Sequence, residues 1–214
     1  VLGITKGRVT QIRSTAPGAE RVIFGVGPVS VGVPYRYQST DRERPLIAAE
    51  GAQTGDQLEQ LLGALSFEVT RYQIEPDRSE VPAGDTIVVC GPKSAPVGAD
   101  LLGRDPVLAI VEAEGRWWIE HQTTGERYGS PSDDSAGRDA DVAYVAAHRM
   151  DDRVIVHIAG IHAIGSLGAA HYPTTHLADV YREVGEKSFS LAVRADYDGL
   201  TITGSELAAG PYVW

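Results

Sequence analysis

The sequence predicts an α/β domain: a Rossmann-like, mostly parallel sheet with helices on both faces, extended by an antiparallel meander and a C-terminal hairpin. Three observations predict it. Two short apolar runs rich in β-branched residues, Thr86–Cys90 and Val154–Ala159, read as strands buried on both faces. Each run ends in a glycine turn, at Gly91-Pro92-Lys93-Ser94 and at Gly160–Gly168. Each turn leads into a helical pattern, and strands alternating with helices build parallel sheets.

The elements follow in order. Residues 14–21, STAPGAER, form a linker. VIFGVGPVSVGVPYRY reads as a first strand that carries alternating Val29, Val31 and Val33. Residues 38–51 begin as a charged loop. Leu58, Leu61, Leu62 and Leu65 repeat at helical spacing behind Thr54, which predicts a capped helix over 54–65. Phe67–Ile74 alternates as a strand with one slip. Pro96 suits the first turn of the helix after Cys90. Residues 106–131 read as three short strands on the edge of the main sheet, turning at Glu114-Gly115 and Thr123-Thr124-Gly125. Residues 132–141 read as an acidic exposed loop, and Val142–Ala147 as either strand or helix. The helical segment from Gly160 to about Val184 contains Pro173. It is therefore either kinked or two helices joined near Tyr172–Thr174. Phe189–Tyr197 and Leu200–Ser205 pair around Asp198-Gly199.

Composition limits the function classes. The 214 residues carry a net charge of −10, which argues against a broad nucleic-acid-binding face on the main body. Residues 1–21 are the exception, with a local charge of +3. No apolar run is long enough to span a membrane, and residues 1–23 lack a signal-peptide core. Cys90 is the only cysteine, so no internal disulfide forms and a cytoplasmic setting is expected. The chain begins at Val1 and its one methionine is Met150, as expected of a piece trimmed or cut from a longer protein.

The two glycine turns are the candidate site. Backbone amides after Gly91, the Lys93 ammonium and the Ser94 hydroxyl suit one phosphate. The spacing is not that of a Walker A loop. In Gly160-Ile161-His162-Ala163-Ile164-Gly165-Ser166-Leu167-Gly168, the helical amides and Ser166 suit an anion, and His162 could donate to it. Only Gly165-x-x-Gly168 matches part of the dinucleotide fingerprint, and these glycines would equally serve tight helix–sheet packing. The ligand-binding set read from sequence is Gly91, Lys93, Ser94, Gly160, His162, Gly165, Ser166 and Gly168. His162, with an unspecified Asp, is the acid–base candidate if the protein is an enzyme. Asp133-Asp134 and Asp196/Asp198 are carboxylate clusters that could do acid–base work or hold Mg²⁺, although most such runs are solvated loops and turns. The loop containing Asp133 could also rim the pocket. His157 alternates with core residues and reads as a buried, hydrogen-bonded histidine. His171 and His176 straddle Pro173 and complete no zinc spacing, so no metal or cofactor is implied. Cys90 reads as a core thiol. Trp117 and Trp118 point to opposite faces of a strand.

Residues 2–13, LGITKGRVTQIR, resemble the turn and recognition helix of helix-turn-helix transcriptional regulators. The family pattern LG(I/V)(S/T)xxxV(S/T)QI is met by Leu2, Gly3, Ile4, Thr5, Val9, Thr10, Gln11 and Ile12. The resemblance implies DNA contact through Lys6, Arg8, Gln11 and Arg13. The preceding helix of the module is absent from the sequence, so 1–13 is read as a remnant that does not bind DNA well alone. A short basic amphipathic helix packed on the domain is the alternative. The expected organisation is thus a remnant (1–13), a linker (14–21) and an α/β ligand-binding domain (22–214). The expected function is regulatory, transcription-related sensing of an anionic, nucleotide-like small molecule, and a homodimer is compatible with it. The alternatives are an enzyme acting on a nucleotide, nucleoside or sugar phosphate, and a protein-interaction domain that uses the meander and Trp118.

Overall fold

A computed structural model describes residues 18–38, 44–150 and 152–214. The segment that resembles a recognition helix, with Lys6, Arg8, Gln11 and Arg13, lies outside the described residues, as do residues 14–17 of the expected linker. In chain order the elements are α1 (Ala19–Phe24), β1 (Val29–Pro34), β2 (Arg36–Gln38), β3 (Arg44–Leu46), α2 (Ala49–Ala64), β4 (Val69–Ile74), β5 (Asp85–Val89) and α3 (Pro96–Leu102). The meander follows as β6 (Leu108–Ala113), β7 (Arg116–His121) and β8 (Arg127–Gly129), then a 3-10 turn at Pro131–Asp133. The chain closes with β9 (Ala140–Arg149), β10 (Val154–Gly160), α4 (Ala163–His171), α5 (Pro173–Val184), β11 (Phe189–Asp198) and β12 (Thr201–Val213).

The fold is mixed α/β. Seven strands form one sheet in the order β12-β11-β9-β10-β5-β1-β4. β4, β1, β5 and β10 are parallel neighbours, whereas β9, β11 and β12 continue the sheet with antiparallel pairing. The buried runs noted in the sequence are β5 and β10 at the centre of this sheet. One face packs α1, α2, α4 and α5 over Val31, Ile87, Val156 and Leu191. The other face is covered by α3, over Val88, Cys90 and Ile155, and by the meander, over Val142, Tyr144 and Ala192.

Several expectations change in the structure. Ile23 and Phe24 belong to α1, not to the first strand, and Ala19–Arg21 of the expected linker are helical. Helix α1 buries Val22, Ile23 and Phe24 and stops at Gly25, whose φ of 93° favours glycine. Helix α2 starts five residues before Thr54. Thr54 is therefore not a cap: it is fully buried, and its hydroxyl donates back to the Glu50 carbonyl at 2.7 Å. The meander is a separate three-stranded sheet lying on the face of the antiparallel half, because Leu108 and Ile119 complete a core with Tyr144. It does not extend the edge of the main sheet. Ala140 and Asp141, expected in an exposed loop, begin β9 and are buried. The Pro173 break resolves into two helices joined at Tyr172. The C-terminal hairpin forms around Asp198-Gly199, and its second strand runs on to Val213.

His157 sits at the middle of β10, fully buried, and its Nε2 donates to the Cys90 carbonyl at 2.7 Å. His148 on β9 lies beside it, also buried, with Trp214 packed against its ring at 5.3 Å. Burial holds both imidazoles down to about 4. The unfolded chain takes up protons near 6.5 that the folded state refuses. Stability present above that pH is therefore lost as pH falls through 6.5 toward 4, by on the order of 3 kcal/mol per histidine. Urea midpoints should drop steeply between pH 6.5 and pH 5, and His157→Gln should flatten that slope. Midpoints that stay level over this window in the unmodified protein would contradict the assignment.

Candidate functional site

The carboxyl ends of β1, β5 and β10 lie side by side. The chain leaves β1 for β4 on one flank and returns to β5 on the other, so the sheet order reverses at β1. Such a reversal leaves a crevice at the strand ends, where open α/β sheets bind ligands. A cavity of about 310 Å³ occupies it. Pro34 at the end of β1 forms one side, with Ala48 and Gly51 from the start of α2. The loop after β5 contributes Cys90, Gly91, Lys93 and Ser94. The turn after β10 contributes Gly160, Ile161 and His162, and α4 adds Ala163 and Ser166.

The turn from β10 into α4 is fixed by side chains. The Gly160 amide donates to Ser166 Oγ at 2.9 Å. A Cβ on Gly160 would collide with the His162 carbonyl and the Ser166 amide, so the turn accepts only glycine there. The Asp141 carboxylate, reaching over from β9, accepts the His162 amide at 3.0 Å and the Gly165 amide at 2.9 Å through Oδ2. It thereby supplies the N-terminal cap of α4 that His162, at the cap position, does not. Asp141 is 1% exposed, and burial pushes its carboxyl up; the nearby Ser130 hydroxyl, backbone amides and His162 oppose that shift. Part of the anion-holding capacity of this helix end is therefore spent on a residue of the protein itself.

The remaining donors face the cavity. Lys93 Nζ donates to the Ile161 carbonyl at 3.3 Å and lies 4.6 Å from the centre of the Trp117 ring, so the ammonium bridges the two loops. Helix α2, 16 residues long, begins at Ala49; Ala48 at its cap position supplies no side-chain cap, and the first amides of the helix have no intrahelical acceptor. Both helix starts bring partial positive charge to the cavity. At its rim, His162 Nε2 donates to Asp133 Oδ1 at 2.8 Å. This pair fixes the orientation of the ring.

The structure thus brings Gly91, Lys93, Ser94, Gly160, His162 and Ser166 of the sequence-read set to one cavity. Gly165 and Gly168 are not part of it. A Cβ on Gly165 would meet Asp141 and the Val142 carbonyl, and one on Gly168 would collide with Ala195, so both serve helix–sheet packing. Asp196 pairs with Arg194, and Asp134 pairs with Arg116, rather than with His162. Cys90 is buried, and its thiol is pushed up to about 11 by burial. His171 bonds Ser205, and His176 stacks on Tyr172. Trp118 lies over Gly129 of its own sheet with Arg116 stacked on it. Among the described residues no group of three His, Cys, Asp or Glu side chains converges as a metal site, and no helix is long and apolar enough to cross a membrane.

Sequence reasoning missed Asp141, Ala48 and Gly51. Only Asp141 carried a signal, as a carboxylate just before an apolar run. No protein-family model matches the chain, and comparisons with curated proteins and with solved structures give no significant match.

Asp141→Ala should destabilise the protein by about 1–3 kcal/mol, because two buried amides lose their acceptor. Asp141→Asn keeps a carbonyl acceptor and should lose less than half as much. Chemical denaturation of both variants at pH 7 checks this; equal losses would show that Asp141 does not act as a cap.

Proposed function

We propose that this chain is the sensory part of a regulatory, transcription-related protein, and that its Rossmann-like body binds an anionic, nucleotide-like small molecule in the cavity at the ends of β1, β5 and β10. The observation that carries this reading is the convergence on one cavity of Lys93, Ser94 and the starts of α2 and α4. All of these favour negative charge, in a chain whose net charge is −10. A local positive site in an acidic protein selects small anions over extended polyanions. The segment 2–13, by its resemblance to a recognition helix, would carry the response to DNA, with ligand binding altering the DNA affinity of the intact protein.

A second reading is favoured by one specific contact. The 2.8 Å bond between His162 and Asp133 at the cavity rim is the pairing that orients a general acid–base histidine. It supports an enzyme acting on a nucleotide, nucleoside or sugar phosphate. Turnover of pooled nucleotides that His162→Ala abolishes would establish the enzyme. Binding without product supports the sensor.

For the sensor, a nucleotide at a hundredfold excess over its Kd should stabilise the chain by about 2.7 kcal/mol. In a chain of this size that raises Tm by roughly 5–10 °C. Lys93→Ala removes a charge-assisted contact and should weaken binding about tenfold or more. Thermal melts of both proteins across a panel of nucleotides check this. A flat Tm across the panel, or shifts that Lys93→Ala leaves unchanged, would defeat the reading.

A further inference from the structure

The cavity has a neighbour that shares part of its lining. A second chamber of about 320 Å³ shares Pro34, Ala48, Lys93, Ser94 and Ala163 with the first, then extends over Tyr35, Arg36 and Leu46. Each chamber matches the lower end of small-ligand pockets, about 300 Å³. The shared wall holds the donors: the Lys93 ammonium, the Ser94 hydroxyl and the adjoining helix starts. The inner chamber is walled by Val89, Cys90, Ile161 and the bare backbone of Gly91 and Gly160. The outer chamber presents an aromatic ring and a guanidinium, the two groups that stack on planar bases. The Tyr35 ring is held edge-on to Tyr37 at 5.3 Å, and their hydroxyls lie 3.1 Å apart, so its orientation is set before a ligand arrives.

We propose that the site takes a bipartite ligand: a dinucleotide whose bridging phosphate or pyrophosphate sits at Lys93 and Ser94, with one nucleoside in each chamber. The proposal rests on the reading that this cavity binds a nucleotide-like anion. It places the charge of the ligand at the middle, where the donors are, and its two bulky ends in the chambers on either side. The chain's net charge of −10 disfavours a longer strand of nucleic acid on the same surface.

Calorimetric titration of the full chain tests it. The probes are AMP, GMP, CMP and UMP, the corresponding dinucleoside monophosphates, and the P1,P2-dinucleoside diphosphates. At least one dinucleotide should bind tenfold or more tightly than the best mononucleotide, and the two dinucleotide series separate a phosphate bridge from a pyrophosphate. In the Tyr35→Ala/Arg36→Ala double variant that advantage should vanish, so that mononucleotide and dinucleotide bind equally. Lys93→Ala should weaken both. Mononucleotide binding that depends on Lys93, with no dinucleotide advantage or with one that survives the double variant, overturns the bipartite ligand and leaves the anion-binding cavity standing. Binding of none of these probes overturns both.

Discussion

The candidate site depends on how Asp141 holds the turn between β10 and α4. One carboxylate oxygen accepts two backbone amides, His162 and Gly165, across the junction of two strands and a helix. The Ile161 amide adds a bond to the Val142 carbonyl, so β9 grips the turn at adjacent residues. Gly160 then bends sharply enough for its amide to reach Ser166. These contacts set where the His162 ring leaves the backbone and where the first turn of α4 opens. The cost is a buried carboxylate whose charged form is disfavoured by its surroundings. Paired with amides it is tolerated, and it anchors a turn that is also held by Ile161, buried in the core beneath the meander.

The electrostatics of the cavity follow from the same arrangement. The dipole of α4 is partly answered by Asp141, so α2, which starts without a side-chain cap, and Lys93 provide the balance of positive potential. Lys93 is not loose. Its ammonium rests between the Ile161 carbonyl and the Trp117 ring, and through it the meander touches the site. An anion that attracts Lys93 must compete with both partners. This couples occupation of the cavity to the contact between the meander and the strand ends.

Much of this arrangement was legible in the sequence. The β-branched runs of β5 and β10 announce buried central strands, and their glycine turns lie together because parallel neighbours end at the same edge of a sheet. Lys93, Ser94, His162 and Ser166 could be read as one site for that reason alone. His157 was legible as a core histidine from its alternation with Val156 and Ile158. What sequence could not carry was long-range pairing. Asp141 looks like the end of an acidic loop until β9 is placed beside β10. Thr54 looks like a cap until the helix is seen to start at Ala49. Gly165 and Gly168 look like ligand glycines until Asp141 and Ala195 fill the space beside them. The meander appeared to extend a sheet edge, whereas the burial of Leu108 and Ile119 against Tyr144 turns it onto the face. In each case local pattern gave the residue type its meaning, and a distant partner changed it.

The central proposal is spatial: an anionic ligand binds where β1, β5 and β10 end. Backbone amide shifts in a two-dimensional NMR titration of the labelled chain with a nucleotide measure this directly. The account predicts that the largest changes fall on Gly51, Gly91, Lys93, Ser94 and Gly160–Ala163, and that Trp117 responds as Lys93 moves. Changes concentrated instead at the opposite end of the sheet, around Glu80, Arg104 and Arg153, would contradict it.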